Sequence, residues 1–262
     1  MRRIIISILF LVQLDIYAQD TLNHSVEFRQ RYENFTKSDN FRVFSSLQYG
    51  YKIAGKHDIY GRVIYQNING ENALQSMIDF YPTYNKGYMF FSVRYSNSSL
   101  FPKFTLMGEI YSKVMQKHEA SFGLRYLRPL DQYDIYIITG TYGIYHGNWF
   151  TYIRPMLSFL EDGTSWSGML VTRRYFGIGK TYLEAMVLKG DDTGTSRPVG
   201  SIENSFGSDT YFIRLKGHLR LPKNFDLEIG SDYSGIFIPK ANGSTSEVNI
   251  WGIDVAIKKT FN

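Results

Sequence analysis

Two sets of residues in this 262-residue chain could carry a catalytic or binding function. The smaller set consists of the five histidines. An acyl hydrolase needs a serine that is activated by a histidine and a carboxylate. No histidine has both partners at an obvious cross-strand position, and neither a G-x-S-x-G motif nor an H-x-x-x-H metal spacing occurs. We therefore predict no catalytic residue, metal or cofactor, and a lipid-modifying enzyme is the least favoured alternative. The histidines are His24, His57, His118, His146 and His218.

The larger set consists of charged residues of both signs that recur on one face of alternating segments. Opposite charges on neighbouring strands pair across a sheet, and inside a narrow barrel such pairs are partly desolvated. The alternative to this structural network is a polar path for a small solute or a glycan, with arginine as the hydrogen-bonding group. We expect the following residues to line the lumen: Arg29, Arg31, Arg62, Asp79, Arg94, Glu109, Glu119, Arg125, Arg154, Glu184, Arg214 and Arg220.

Alternation with a period of two predicts the strands that must position these residues. In the segment 209–220, Tyr211, Ile213 and Leu215 share one face, whereas Arg214 and Lys216 share the other. Turn residues (Gly, Asn, Asp and Pro) separate segments that are longer than the strands of most soluble sheets. The pattern predicts an all-β fold, a single antiparallel barrel of about 14 strands between residues 24 and 261, or of about 12 if two weak strands are misassigned.

Aromatic residues near the predicted strand ends favour a membrane barrel over a soluble sandwich. A sandwich would also bury one face, so alternation alone does not decide between the two. Rings at both ends of an apolar band suit the two membrane interfaces of an outer-membrane barrel. The aromatic residues that prompt this interpretation are Tyr49, Tyr51, Tyr81, Tyr84, Tyr142, Tyr145, Trp149, Tyr152, Tyr175 and Phe176.

The first 18 residues have the order of a secretory signal peptide. Arg2 and Arg3 precede the apolar run 4–14, and Ala18 supplies a small residue at the expected cleavage point. The run is shorter than the roughly 20 residues of a membrane-spanning helix. We therefore expect a signal peptide at residues 1–18 and an outer-membrane barrel domain at residues 19–262.

Loop lengths give an independent check on the barrel. With the N-terminus in the periplasm, the longest connection, 189–208, falls on the outer side, and the short turns 55–58, 85–87 and 222–224 fall on the inner side. Bacterial outer-membrane barrels have this asymmetry of long outer loops and short periplasmic turns. The localisation that we predict is the outer membrane of a Gram-negative-type cell, reached after export.

Ordered motifs in the middle of the chain resemble the YaiO-type outer-membrane β-barrel family. They include DFYP at 79–82, SSLFP at 98–102, EASFGLRYL at 119–127 and RRYF at 173–176. The resemblance covers roughly residues 60 to 190. It implies an outer-membrane barrel and does not define an activity.

The leading functional hypothesis from the sequence is a non-enzymatic, narrow pore for small solutes or glycan. The alternative is a sealed structural or surface-interaction barrel. The expected partners are outer-membrane lipid and lipopolysaccharide, the outer-membrane insertion machinery, and a glycan or small solute. A net charge of +5 is too small to indicate nucleic-acid binding, and the absence of cysteine excludes thiol chemistry and disulfide scaffolds.

Overall fold

The computed structural model describes most of the chain after the predicted signal peptide, which itself lies outside the described residues. The described ranges are 24–36, 40–53, 56–98, 100–129, 133–161, 163–177, 181–191, 209–239 and 245–261. Within these ranges, no helix is long and apolar enough to cross a membrane.

All the regular structure in these ranges is β-strand, as the alternation predicted. The strands are β1 His24–Phe35, β2 Phe41–Ile53, β3 His57–Ile68, β4 Glu71–Tyr81, β5 Thr83–Tyr84, β6 Gly87–Ser96, β7 Phe104–Met115, β8 His118–Arg128, β9 Ile135–His146, β10 Trp149–Leu160, β11 Gly163–Tyr175, β12 Tyr182–Asp191, β13 Asp209–Leu221, β14 Phe225–Pro239 and β15 Thr245–Phe261.

The strands form one closed antiparallel barrel in which sequence neighbours pair and β1 pairs with β15. The segments β4 and β5 both pair with β6 and form one barrel strand. Pro82 separates them because proline has no N–H to donate to the ladder. The barrel therefore has 14 strands, which confirms the predicted fold class and strand count.

Side chains alternate along each strand between the lumen and the outer surface. On β13, Arg214 is 5 % exposed and faces the lumen, whereas Leu215 is 64 % exposed and faces outward. Apolar side chains cover the outer surface, as the lipid-facing side of a membrane barrel requires. The interface interpretation is wrong for Tyr81, Tyr145 and Tyr152, whose side chains face the lumen. Tyr81 lines a cavity inside the barrel, Tyr145 donates to the lumen residue Glu119, and Tyr152 packs on apolar lumen residues.

The barrel has two unlike ends. The end at which β1 begins and β15 finishes, here called the terminal end, has short turns such as 116–117 and 147–148. The opposite end, here called the loop end, carries longer connections such as 97–103 and 129–134. The predicted long connection runs from Asp191 to Asp209 at the loop end, and residues 192–208 of it lie outside the described residues.

Apolar side chains fill the lumen toward the loop end. They come from strands on all sides of the barrel, and Val171 and Phe212 among them have no exposed surface. We call this set the apolar layer: Phe44, Ile64, Ala73, Phe101, Leu127, Ile135, Ile137, Met156, Met169, Val171, Met186, Leu188, Phe212, Ile236 and Ile250. Buried charged residues such as Glu33 and Arg42 also lie toward the loop end of the lumen.

Candidate functional site

Buried ion pairs join the first and last strands where the barrel closes. Arg29 Nη1 donates to Asp254 Oδ2 at 2.8 Å, and Arg29 Nη2 donates to Glu228 Oε2 at 2.6 Å. Arg31 Nη2 donates to Asp232 Oδ1 at 2.8 Å. These bonds run from β1 to β14 and β15, so they cross the seam that closes the barrel.

Three further residues extend this group of ion pairs. Arg214 on β13 donates through Nη2 to Asp254 Oδ1 at 2.8 Å. Arg42 on β2 donates through Nε to Glu33 Oε2 at 2.6 Å, and Glu33 Oε1 accepts from Arg31 Nε at 2.7 Å. Four guanidinium groups thus face four carboxylates with little water to screen them. We call this set the seam cluster: Arg29, Arg31, Glu33, Arg42, Arg214, Glu228, Asp232 and Asp254.

Two glycines on the inner wall leave the space that the seam cluster occupies. A Cβ at Gly230 would lie 2.5 Å from Asp254 Oδ1, and a Cβ at Gly252 would lie 3.0 Å from Arg31 Nη2. Any larger residue would therefore push the ion pairs apart. Gly230 is opposite Asp254 and Gly252 is opposite Asp232 in the strand register, so each glycine faces a charged partner.

A second group of charged residues lies on the wall formed by β6 to β10. Arg154 donates to Glu109 Oε1 at 2.9 Å, to the Tyr111 hydroxyl at 2.6 Å and to Thr141 Oγ1 at 2.9 Å. Ser121 Oγ also donates to Glu109 Oε1, at 2.6 Å. Hydrogen bonding to a charged carboxylate is stronger than between neutral groups, so these bonds fix both side chains.

The charge of this second wall differs from that of the seam cluster. Arg154, Arg94 and Glu109 act electrostatically on Arg125, so three guanidinium groups and one carboxylate share this wall. The seam cluster, in contrast, has equal numbers of each sign. We call this set the Arg154 cluster: Arg94, Glu109, Arg125 and Arg154.

Three of the predicted lumen residues lie nearer the terminal end. Glu184 pairs with Arg173 and accepts from Lys216 Nζ at 3.4 Å. Glu119 accepts from the Tyr145 hydroxyl at 3.2 Å. Arg220 lies at the rim, where its side chain is 34 % exposed and pairs with Asp226 at 2.8 Å.

The remaining two predicted residues, Arg62 and Asp79, line an open cavity at the terminal end. Its volume is about 490 Å³. Arg62 Nε donates to Gln48 Oε1 at 2.8 Å, whereas Asp79 Oδ1 is buried and has no hydrogen-bond partner. We call this the terminal cavity, and its lining residues are Gln48, Asp58, Tyr60, Arg62, Asp79, Tyr81, Thr83, Tyr88 and Lys258.

The connection between β6 and β7 folds into the lumen at the loop end. Phe101 is almost fully buried and, with the partly buried Leu100, packs against Phe44, Ile64 and Ala73 on β2, β3 and β4. Two serine hydroxyls hold the connection in place. The Ser98 N–H donates to Ser96 Oγ at 3.2 Å, and the Leu100 N–H donates to Ser98 Oγ at 3.1 Å. This connection contains the SSLFP motif.

Sequence reasoning missed Glu33, Arg42 and the inward position of Phe101. The sequence could have revealed Glu33, because this residue continues the alternation of Arg29 and Arg31 on β1. Arg42 and Phe44 share the inward face of β2. Because one is charged and the other is aromatic, the sequence pattern does not show that both face inward. The inward fold of Phe101 depends on packing between distant segments and leaves no periodic signal.

Four of the five described histidines have structural partners, namely His24, His57, His118 and His218. His118 contacts the Tyr142 hydroxyl at 2.7 Å, and His57 Nδ1 accepts from the Thr83 N–H at 3.0 Å. His218 Nδ1 lies 3.2 Å from Glu228 Oε1, a cross-strand carboxylate that sequence reasoning overlooked. Among the described residues, no group of three or more His, Asp or Glu is arranged to hold a metal ion.

A closed antiparallel barrel with an apolar exterior and charged groups inside is the architecture of an outer-membrane β-barrel protein. The model of the YaiO membrane β-barrel domain family matches residues 23–192. The chain belongs to this family, as the sequence motifs predicted. No curated protein sequence matches the chain.

Solved outer-membrane proteins have the same fold at low sequence identity. The outer membrane protein Omp33 of Acinetobacter baumannii is 13 % identical, with a TM-score of 0.54 over 92 % of this chain and 100 % of its own. The KdgM porin, solved with disordered oligogalacturonate, is 8 % identical, with a TM-score of 0.50 over 91 % and 99 %. An anion-selective porin from Comamonas acidovorans is 12 % identical, with a TM-score of 0.49 over 92 % and 99 %. At these identities the likeness extends to the fold alone.

Proposed function

We propose that the protein is a non-enzymatic outer-membrane barrel whose lumen is closed toward the loop end, so that it is a sealed barrel and not a permanently open pore. The observation that carries this proposal is the burial of the apolar layer. In a water-filled pore, inward side chains contact water, and a polar lining is expected. Here the inward side chains toward the loop end, both apolar ones and polar ones such as Gln66 and Arg42, have almost no exposed surface.

Planar-bilayer recording from the refolded protein tests this proposal. Refolding is first verified by the shift in gel mobility between heated and unheated samples. We expect no discrete conductance steps from folded protein, because the apolar layer excludes water and ions. Regular steps from the same preparation would overturn the proposal and favour the narrow pore.

A gated narrow pore is the second candidate, and the β6–β7 connection favours it. Leu100 and Phe101 enter the lumen from a connection and not from a strand, so they can leave without breaking the barrel ladder. If the connection is a gate, the double variant Leu100→Ala, Phe101→Ala has conductance steps that the parent lacks. The outward-facing Leu106→Ala is the matched control and remains silent. A silent double variant that folds normally leaves the sealed barrel as the explanation.

A further inference from the structure

The terminal cavity has the size of a binding site and a lining that is more polar than is usual for one. Small-molecule sites have volumes of roughly 300–1,000 Å³. Six of the nine lining residues are polar or charged, and the other three are tyrosines. The cavity volume of about 490 Å³ lies in this range. Its lining residues come from β2, β3, β4, β5, β6 and β15, so rigid strands hold most of them in place.

One oxygen in this cavity is an acceptor without a donor. Asp79 is 6 % exposed, and its Oδ1 has no hydrogen-bond partner. A buried acceptor that is left unpaired costs free energy, so a ligand donor at this position is stabilising. The other buried carboxylates described above, such as Asp254 and Glu109, all accept from arginine. Asp232 Oδ2 also lacks a partner, but Asp232 does not line the terminal cavity. Asp79 is the lining residue of this cavity whose buried oxygen lacks a donor.

The charges of the lining balance, so they give no net preference for an anion or a cation. Asp58 and Asp79 disfavour an anion, whereas Arg62 and Lys258 disfavour a cation. Like charges brought together in a partly desolvated site repel strongly. With equal numbers of each sign, the cavity favours a neutral ligand that both donates and accepts hydrogen bonds.

Three tyrosines supply the apolar part of the wall. The rings of Tyr60 and Tyr81 meet edge to face with 5.8 Å between centroids, so the two rings are not stacked on each other. Tyr88 lies on the other side of Tyr81, with 6.4 Å between their centroids. Such rings offer flat apolar faces beside polar hydroxyl groups. Sugar rings have the complementary surface, with C–H groups on the faces and hydroxyls at the edge.

We propose that the terminal cavity binds a neutral, hydroxyl-rich saccharide, with Asp79 Oδ1 accepting a hydrogen bond from a ligand hydroxyl. Arg62 and Lys258 donate to ligand oxygens, and Tyr60 and Tyr81 contact the sugar face. The proposal rests on the proposed function in one respect: a lumen closed toward the loop end leaves this cavity to be reached from the terminal end.

Titration calorimetry of the refolded protein in detergent tests the inference. The probes are the neutral disaccharides maltose, cellobiose and N,N′-diacetylchitobiose, with digalacturonate as the anionic probe and di-glucosamine as the cationic probe. We expect the wild type to bind at least one neutral probe and neither charged probe. In Asp79→Asn we expect affinity for that probe to fall by about tenfold, because the substitution keeps the shape and removes the charged acceptor.

The matched control is Asp226→Asn, which changes a carboxylate of equal burial that pairs with Arg220 outside the terminal cavity. It is expected to bind the neutral probe as the wild type does. Absence of binding to every neutral probe, tighter binding of a charged probe, or equal affinity in Asp79→Asn would each overturn the inference. Conductance is recorded separately, so an open lumen would refute the proposed function without deciding whether the cavity binds sugar.

Discussion

The two halves of the lumen are built from the same strands but from different side chains. On β3, Ile64 lies in the apolar layer toward the loop end, whereas Arg62 and Tyr60 line the terminal cavity. On β13, Phe212 belongs to the apolar layer, and Lys216 faces Glu184 nearer the terminal end. One inward face thus changes from apolar to polar along a single strand. The apolar layer, which we propose closes the lumen, and the terminal cavity, which we propose binds a ligand, therefore lie at different positions along the barrel axis.

Removing one charge of the seam cluster is expected to have the largest effect on stability. Asp254→Asn leaves Arg29 and Arg214 without their shared carboxylate. Breaking a buried ion pair from one side costs about 3–5 kcal/mol. We expect a loss of that size in the free energy of unfolding, measured by urea titration of the barrel in lipid vesicles.

The control for this prediction is Asp134→Asn, which removes a partly exposed carboxylate that pairs with Arg128 at the loop end. It should leave the urea midpoint unchanged. If Asp254→Asn unfolds at the same urea concentration as this control, the seam cluster does not stabilise the barrel.

A smaller effect is expected from crowding the same cluster. Gly230→Ala places a Cβ 2.5 Å from Asp254 Oδ1, so the ion pair must shift. Overpacking of this kind costs about 1–3 kcal/mol. Gly168→Ala is the matched control, because a Cβ there would meet nothing within 4 Å. Equal urea midpoints for the two variants would mean that the seam cluster accommodates the added methyl group without loss of stability.

The smallest effect is expected from a substitution that compares the lumen face of β9 with its lipid-facing side. Ile137 is 1 % exposed in the apolar layer, and its neighbour Ile138 is 37 % exposed on the outer face. Removing a methylene from a packed core costs about 1 kcal/mol. We therefore expect Ile137→Val to lower the free energy of unfolding by that amount and Ile138→Val to leave it nearly unchanged. The reverse order would show that the apolar layer is loosely packed.

The sequence predicted the barrel well because alternation and turn chemistry are local. The pattern predicted a first strand near residue 24 and a last strand ending near residue 261, and the structure has these limits. In the structure, Arg31 and Arg214 are buried on the inner face. Register follows from alternation once one face is buried, so these assignments needed no knowledge of distant contacts.

The grouping of the inward residues could not be predicted in the same way. Arg29 and Asp254 are far apart in the chain and meet only because the barrel closes between β1 and β15. The apolar layer was missed because an apolar side chain can face either the lumen or the lipid. Ile137 and Ile138, for example, are the same residue type, so the sequence does not show which of them faces the lumen. The inward fold of Phe101 depends on a connection, which has no periodicity.

Labelling of single cysteines tests most directly whether the lumen is closed toward the loop end. The chain has no cysteine, so each introduced thiol reports one position. Thr105→Cys places it in the loop half, where the residue is 2 % exposed, and Thr83→Cys places it in the terminal cavity. With a water-soluble maleimide on the folded barrel, we expect rapid labelling at position 83 and labelling at position 105 only after denaturation. Equal rates at both positions would contradict a closed lumen.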